Sequence, residues 1–273
     1  MKYKVICSDL DGTLLDSESR LSPENAEAIS ELAKRGIIFV PTTGRTILEL
    51  PDAIREHKDV RYFIYSNGAG IYDAKEDKAY EYLLSPETVG KLLEIFRKYK
   101  VMLFCHKDRG LFMDDDEFPN YKEYKIWKSY LELFRVIPPE LRLHNFWDFL
   151  KNSGDVEMIV GFFGKEEKRE AECRAELEKI PGIHVTSSAD GNIEIVNGAA
   201  NKGNAVRRLS ELLGISTDEF ITAGDSINDV EMLELAGLSL AVSGAKPATK
   251  AAADKIICSN DEHIAKYILE NII

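Results

Sequence analysis

Short apolar runs and amphipathic stretches alternate along the first third of the chain. Lys4-Val5-Ile6-Cys7-Ser8 is too short for a helix and reads as a buried strand running into Asp9-Leu10-Asp11-Gly12. Leu21-Ser22-Pro23 then predicts a helix start, with Ser22 as N-cap and Pro23 in the first helical position. Ala26, Ile29, Leu32 and Ala33 share one face of that helix, and Gly36 ends it. A strand over 37–42, a helix to about residue 57 and a strand over 61–65 follow. Such alternation predicts βαβ units and a parallel sheet. Ser66-Asn67-Gly68-Ala69, just before Ile71-Tyr72, carries the Asn-Gly signal of a hairpin turn.

From Ser85-Pro86 onward the rhythm changes. The pattern predicts a helix to about residue 100, a strand over 101–105, a turn near Asp108-Arg109-Gly110 and another short strand. A helical stretch over 117–134, a strand over 156–163 and a helix over 165–179 come next. Tyr121, Tyr124, Trp127 and Tyr130 recur at a spacing of three, which predicts a helix face packed into its own domain. Asp114-Asp115-Asp116-Glu117 reads as a solvated turn and helix start. Asn192-Ile193-Glu194-Ile195-Val196 is the strand on which the α/β alternation is expected to resume, continuing to the end.

Two segments carry chemistry. The first strand delivers Asp9 and Asp11, two positions apart, into a glycine turn, and alternate positions of a strand face the same side. Paired carboxylates repel, so placing them together calls for a cation or a shared proton. Taken alone, they are equally well read as solvated turn formers. Phe220-Ile221-Thr222-Ala223-Gly224-Asp225-Ser226-Ile227-Asn228-Asp229 repeats the device: an apolar strand, a glycine, an acid, then a polar pair where a helix would begin. Helix capping explains Asp225 alone. It leaves unexplained why two strand ends match, whereas a crevice at the carboxyl edge of one parallel sheet explains both.

These residues resemble the motifs of the haloacid dehalogenase-like phosphohydrolases, and most closely the Cof-type subfamily. D-x-D-G-T-L stands as Asp9 to Leu14, G-D-x-x-N-D as Gly224 to Asp229, and a strand ending in T-G-R as Ile37 to Arg45. A lysine opening a helix is similar to Asn201-Lys202-Gly203, and Pro41 departs from the small residue more usual in that turn. The resemblance implies a Rossmann-like three-layer α/β core with a parallel sheet over 1–84 and 189–273. It also implies an inserted α+β cap over 85–188 that selects substrate.

For function it implies a magnesium-dependent phosphatase acting on a small phosphorylated metabolite, in particular a sugar phosphate. Asp9 would be the nucleophile, Asp11 the acid and base, and Lys202 the neutralising cation. Mg2+ would be held by the Asp9 carboxylate, the Asp11 carbonyl and Asp225, with Asp229 as a ligand or its neighbour. Thr43, Gly44, Asn67, Gly68 and Asn228 would contact the phosphate or substrate. Thr43 is also read as a helix cap, and Arg45 as either a substrate contact or a structural ion pair. A phosphosugar mutase carries the same motifs, and a non-catalytic phosphometabolite sensor keeps the fold. Dehalogenation does not need the metal site, and a glycosyltransferase would need neither Asp225 nor Lys202.

Composition narrows the partners. A formal net charge of −12 opposes nucleic-acid binding, which needs a basic face. No apolar run is long enough to span a bilayer, and with Met1 followed at once by a strand no signal peptide is expected. Cys7, Cys105, Cys173 and Cys258 form no C-x-x-C pair and read as reduced thiols of a cytoplasmic protein. The histidines at 57, 106, 144, 184 and 263 show no metal-ligand spacing. Gly198 to Ala205 fails as a nucleotide-cradling loop, because Lys202 precedes the second glycine and no Ser or Thr follows it.

Overall fold

The computed structural model describes residues 2–126, 131, 134, 137–187 and 191–273. Chain order begins β1 (Val5–Ser8), α1 (Pro23–Lys34), β2 (Ile38–Pro41), α2 (Asp52–Arg55), β3 (Tyr62–Tyr65), β4 (Gly70–Asp73) and β5 (Lys78–Glu81). It continues through α3 (Pro86–Phe96), β6 (Val101–Lys107), β7 (Gly110–Asp114), β8 (Arg142–Leu143), α4 (Phe146–Asn152) and β9 (Met158–Phe163). Then come α5 (Glu170–Leu177), β10 (Ile183–Thr186), β11 (Asn192–Asn197), α6 (Lys202–Leu213), β12 (Phe220–Gly224) and α7 (Val230–Leu233). Last are β13 (Leu238–Ala241), α8 (Pro247–Ala252), β14 (Lys255–Ile256) and α9 (Ile264–Asn271). The chain divides into two compact units, Met1–Tyr80 with Asn201–Ile273, and Glu81–Ala200.

The first unit is the expected three-layer α/β core. Its main sheet has the order β14-β13-β12-β1-β2, and every pairing is parallel. Both faces are covered, so the strands are apolar at successive positions. Ile6, Phe39, Ile221 and Leu240 lie in one cluster with Ala28, Ile29 and Leu32 of α1 and Ile264 and Ile268 of α9. Val5, Cys7 and Val40 lie in another with Ala205, Val206 and Leu209 of α6. The Ser22 side chain accepts from the Asn25 amide, and Asn25, Ala28, Ile29 and Leu32 are the buried residues of α1. The buried stripe thus shares Ile29 and Leu32 with the expected face, while Ala26 and Ala33 flank it. β3, β4 and β5 form a small separate sheet.

The second unit is the expected inserted α+β element. Its six-stranded sheet has the order β10-β11-β9-β6-β7-β8. Val101, Leu103 and Cys105 of β6, Ile159 and Phe163 of β9, and Ile193 and Ile195 of β11 form one cluster. Packed into it are Leu92 and Phe96 of α3, Phe146 and Leu150 of α4, and Cys173 and Leu177 of α5. At the β6–β7 turn, Asp108 and Arg109 adopt φ of 51° and 66°, the conformation a tight two-residue hairpin requires.

Several expectations need correction. Asn192–Asn197 does not resume the parallel core: it pairs antiparallel with β9 and β10. That strand falls in the second compact unit, Glu81–Ala200, whereas the expected cap spans 85–188. Its alternating pattern suits either sheet, and only inter-strand hydrogen bonding decides which sheet takes it. The helix expected to residue 57 is a 3-10 turn at Ile47–Glu49 and the four-residue α2, separated by Pro51, which caps the second piece. Within the expected 117–134 helix, Phe118–Glu123 is 3-10 and Tyr124 is extended, bridging Gly164. Trp127 and Tyr130 lie outside the described residues. Asp114 accepts from the Asp116 and Glu117 amides, so the acidic run is a turn as expected. Among the described residues, no helix is long and apolar enough to cross a membrane.

Candidate active site

Parallel pairing in register aligns the strand ends. Ser8 stands level with Ala223 of β12 and Pro41 of β2, so the chain leaves the sheet at Asp9, Asp225 and Thr42 side by side. The Asp9 amide donates to the Ala223 carbonyl at 2.9 Å, and the Thr42 amide to the Ser8 carbonyl at 2.8 Å. β3 extends the arrangement, because the Thr43 amide donates to Ile64 O and the Asn67 amide to Thr43 O. Four loops distant in sequence thus meet at one edge, as open α/β sheets allow.

Lys202 is the first residue of α6, whose N-cap Asn201 accepts from the Asn204 amide at 2.6 Å. Its Nζ donates to Asp9 Oδ1 and to Asp229 Oδ1, each at 2.6 Å. All three side chains are buried. Asp229 Oδ2 accepts from the Asp225 and Ser226 amides, both at 2.9 Å. The Asp229 carboxylate is therefore used on both oxygens, holding the lysine with one and the Asp225 turn with the other. Ser226 Oγ donates to Asp225 Oδ2 at 2.9 Å.

Glycine is required at two contacts. Gly12 has φ +77°, and a Cβ there would stand 2.9 Å from Asp225 Oδ2. At Gly68, with φ +87°, a Cβ would fall 2.2 Å from the Asn201 carbonyl oxygen, so only glycine lets the β3–β4 turn approach the start of α6.

Oxygen atoms of Asp9, Asp225 and Asp229 lie within 4.8 Å of one another. Burial pushes the Asp9 carboxyl well above the usual carboxylate range, opposed by Lys202 and reinforced by Asp229 and Asp225. Burial and then Asp229 raise Asp225 as well. For Lys202, burial favours the neutral form, but Asp229 and Asp9 outweigh it and raise the ammonium above its ordinary value. With all three acids ionised, one ammonium leaves two negative charges uncompensated. An oxygen-only donor set of this charge fits a hard divalent cation.

The other expected residues gather around this cluster. Asn67, at φ 54°, accepts through Oδ1 from Asn228 Nδ2 at 3.0 Å. A Cβ on Gly44 would lie 3.0 Å from that same Asn67 oxygen. Thr43 Oγ1 accepts from the Arg45 amide at 3.1 Å and closes its own turn, but the helical turn that follows is capped by Thr46, so Thr43 is not the expected helix cap. Asp11 points to Arg45, which donates from Nε to Oδ2 at 2.8 Å and from Nη2 to Oδ1 at 2.5 Å. All ten expected site residues, Asp9, Asp11, Thr43, Gly44, Asn67, Gly68, Lys202, Asp225, Asn228 and Asp229, are thus in the first unit. Sequence reasoning missed Ser226 and Glu49. Both belong to capping boxes, Ser226 with Asp229 and Thr46 with Glu49, whose S/T-x-x-acid spacing was readable.

The model of the haloacid dehalogenase-like hydrolases matches residues 6–268. The chain belongs to this family. As a haloacid dehalogenase-like hydrolase it is 28% identical to phosphatase YwpJ of Bacillus subtilis over 99% of this chain and 100% of that one. It is 27% identical to the 5-amino-6-(5-phospho-D-ribitylamino)uracil phosphatase YcsE of the same organism, covering 97% of this chain and 94% of the relative. A crystal structure from Thermotoga maritima superposes with a TM-score of 0.81 at 26% identity, covering 99% of this chain and 98% of that one. The structural likeness thus extends over nearly the whole chain.

Proposed function

We propose that this hydrolase is a magnesium-dependent phosphatase of a small phosphorylated metabolite, acting in the cytoplasm through an aspartyl-phosphate intermediate. The observation that carries the reading is the convergence of Asp9, Asp225 and Asp229 within 4.8 Å, with Lys202 bonded to two of them. Solvated turn formers would not converge at this charge with Asp9 and Asp229 buried and Asp225 half-buried. The phosphatase names of full-length relatives agree with it.

Asp9 would attack phosphorus, forming the P–Oδ bond as the P–O bond to the alcohol breaks. Asp11 would protonate the departing alkoxide, then take a proton from the water that attacks the aspartyl phosphate and releases inorganic phosphate. Lys202 would offset charge on Asp9 and on the phosphoryl group, while Thr43, the Gly44 amide and Asn228 would donate to phosphate oxygens. Asn67 would orient the Asn228 amide, and Gly68 would let that turn reach the site. Asp9, Asp225, the Asp11 carbonyl and Asp229, directly or as a neighbour, would hold Mg2+. The ion supplies charge neutralisation that lets an anionic nucleophile approach an anionic phosphate.

The substrate class is proposed as sugar or sugar-alcohol phosphates. A relative named for a ribityl phosphate supports including both open-chain and cyclic forms in the screen. Phosphate release from such a panel with magnesium tests the reading. Wild-type turnover should fall roughly 10⁴-fold or more in Asp9→Asn, as for loss of a covalent nucleophile. Undiminished turnover in that variant would refute the assignment. Isomer formation outpacing phosphate release from a hexose 1-phosphate with its bisphosphate would instead indicate a mutase.

A further inference from the structure

Arg45 is anchored on both sides of its backbone. Its amide donates to Thr43 Oγ1 at 3.1 Å, and its carbonyl accepts from the Ser66 amide at 2.9 Å. The guanidinium is anchored too, because Nη1 donates to the Glu49 carbonyl at 3.2 Å. That carbonyl belongs to a turn closed by the reciprocal Thr46–Glu49 capping box. The remaining nitrogens form a two-point fork on Asp11. A planar fork on a carboxylate sets the carboxylate's plane as well as its distance, which a single ammonium contact does not.

The two partners are unequal. The Arg45 side chain is 24% exposed and the Asp11 side chain 49%. Asp11 also precedes Gly12, a left-handed residue, on an exposed turn. A half-exposed ion pair contributes little to folding stability. Its consequence is geometric: the better-anchored arginine dictates where the more exposed carboxylate stands.

We infer that Arg45 is a positioning residue for leaving-group protonation, holding Asp11 in one orientation so that its carboxyl group meets the bridging oxygen of the substrate. The inference rests on the assignment of Asp11 as acid and base. It predicts that Arg45 matters in proportion to how much the departing oxygen needs a proton. An alkyl phosphate, such as a sugar 6-phosphate, releases a strongly basic alkoxide. p-Nitrophenyl phosphate releases a phenolate that departs unprotonated.

The test compares kcat/KM for these two substrates in wild type, Arg45→Gln, Arg45→Lys and Asp11→Asn, because kcat/KM extends only through departure of the leaving group. General acid catalysis supplies roughly 10²- to 10⁴-fold, and misorientation forfeits part of that. Arg45→Gln should lose about 10- to 100-fold on the alkyl ester and less than about threefold on p-nitrophenyl phosphate. Arg45→Lys should rescue little, since it lacks the fork. Retained p-nitrophenyl kcat/KM shows that the Arg45 variants fold, and an unchanged thermal unfolding midpoint shows it for Asp11→Asn.

Equal losses on both substrates would overturn the inference in favour of a structural role for the loop. A common loss accompanied by weaker inhibition by inorganic phosphate would overturn it in favour of a phosphate contact. Asp11→Asn separates the two levels of argument. If that variant discriminates between the substrates and Arg45→Gln does not, the positioning role fails alone. If Asp11→Asn does not discriminate, the acid assignment itself fails.

Discussion

Lys202 in the first unit and His106 in the second are both buried basic side chains, and their surroundings treat them oppositely. Lys202 is 1% exposed and meets two carboxylate oxygens at 2.6 Å, so it keeps its charge. His106 is 4% exposed on β6, where burial pulls its pKa down to about 4 and the Glu194 charge only partly offsets the shift. A buried charge persists where opposite charges outweigh its desolvation, as at Lys202; at His106 desolvation outweighs the Glu194 charge. The first unit therefore keeps a buried ammonium charged among carboxylates, while in the second burial disfavours the charged form of His106.

Replacing Lys202 by Met should break that comparison most severely. Removing one partner from a buried ion cluster costs about 3–5 kcal/mol, because the remaining carboxylates stay buried and uncompensated. Thermal unfolding of Lys202→Met should show this loss, and added magnesium should recover part of it. A variant as stable as wild type in magnesium-free buffer would contradict the charge argument.

His106 predicts a pH effect of the opposite origin. Its folded pKa lies below the unfolded value of about 6.5, so protonation favours the unfolded chain. Stability from this group is complete above pH 6.5, falls as pH drops toward about 4, and levels off below that. The shift corresponds to about 3 kcal/mol. Denaturant unfolding between these pH values should show a shallower decline in His106→Gln than in wild type; parallel curves would place His106 elsewhere energetically.

The smallest effect should be shared by the two units. Ser22 and Ser85 each precede a proline and accept from the amide three residues on, at 3.2 Å in both cases. Ser22→Ala and Ser85→Ala should each destabilise by about 1 kcal/mol, readable as small shifts in denaturation midpoint. A substantially larger loss at one position would show that the caps do more than satisfy a helix end.

Much of the first unit was legible because its signals are local. The strand at Val5–Ser8, the cap at Ser22 and the turn at Ser66–Gly68 each follow from neighbouring residues. The second unit was less legible where pairing partners decide the outcome. Asn192–Asn197 reads as a strand in any context, yet its place in the six-stranded sheet depends on β9 and β10. The helical spacing around Tyr121 and Tyr124 likewise gave way to a 3-10 turn and an extended residue, with Tyr124 donating its hydroxyl to Glu117.

By itself, the sequence determined that apolar strands end in acidic glycine turns, that a lysine opens a helix, and that the motifs belong to one hydrolase family. Local spacing and propensity carry the strands, turns and helix start, and the likeness of the motifs carries the family. Only the tertiary structure decided that Asp229, rather than Asp225, holds Lys202, and that Arg45 takes Asp11 across a separation of 34 residues. It also brought Lys202 to Asp9 across 193 residues. Such pairings follow from sheet register and from the need of buried charges for partners, and neither is written in any short stretch of chain.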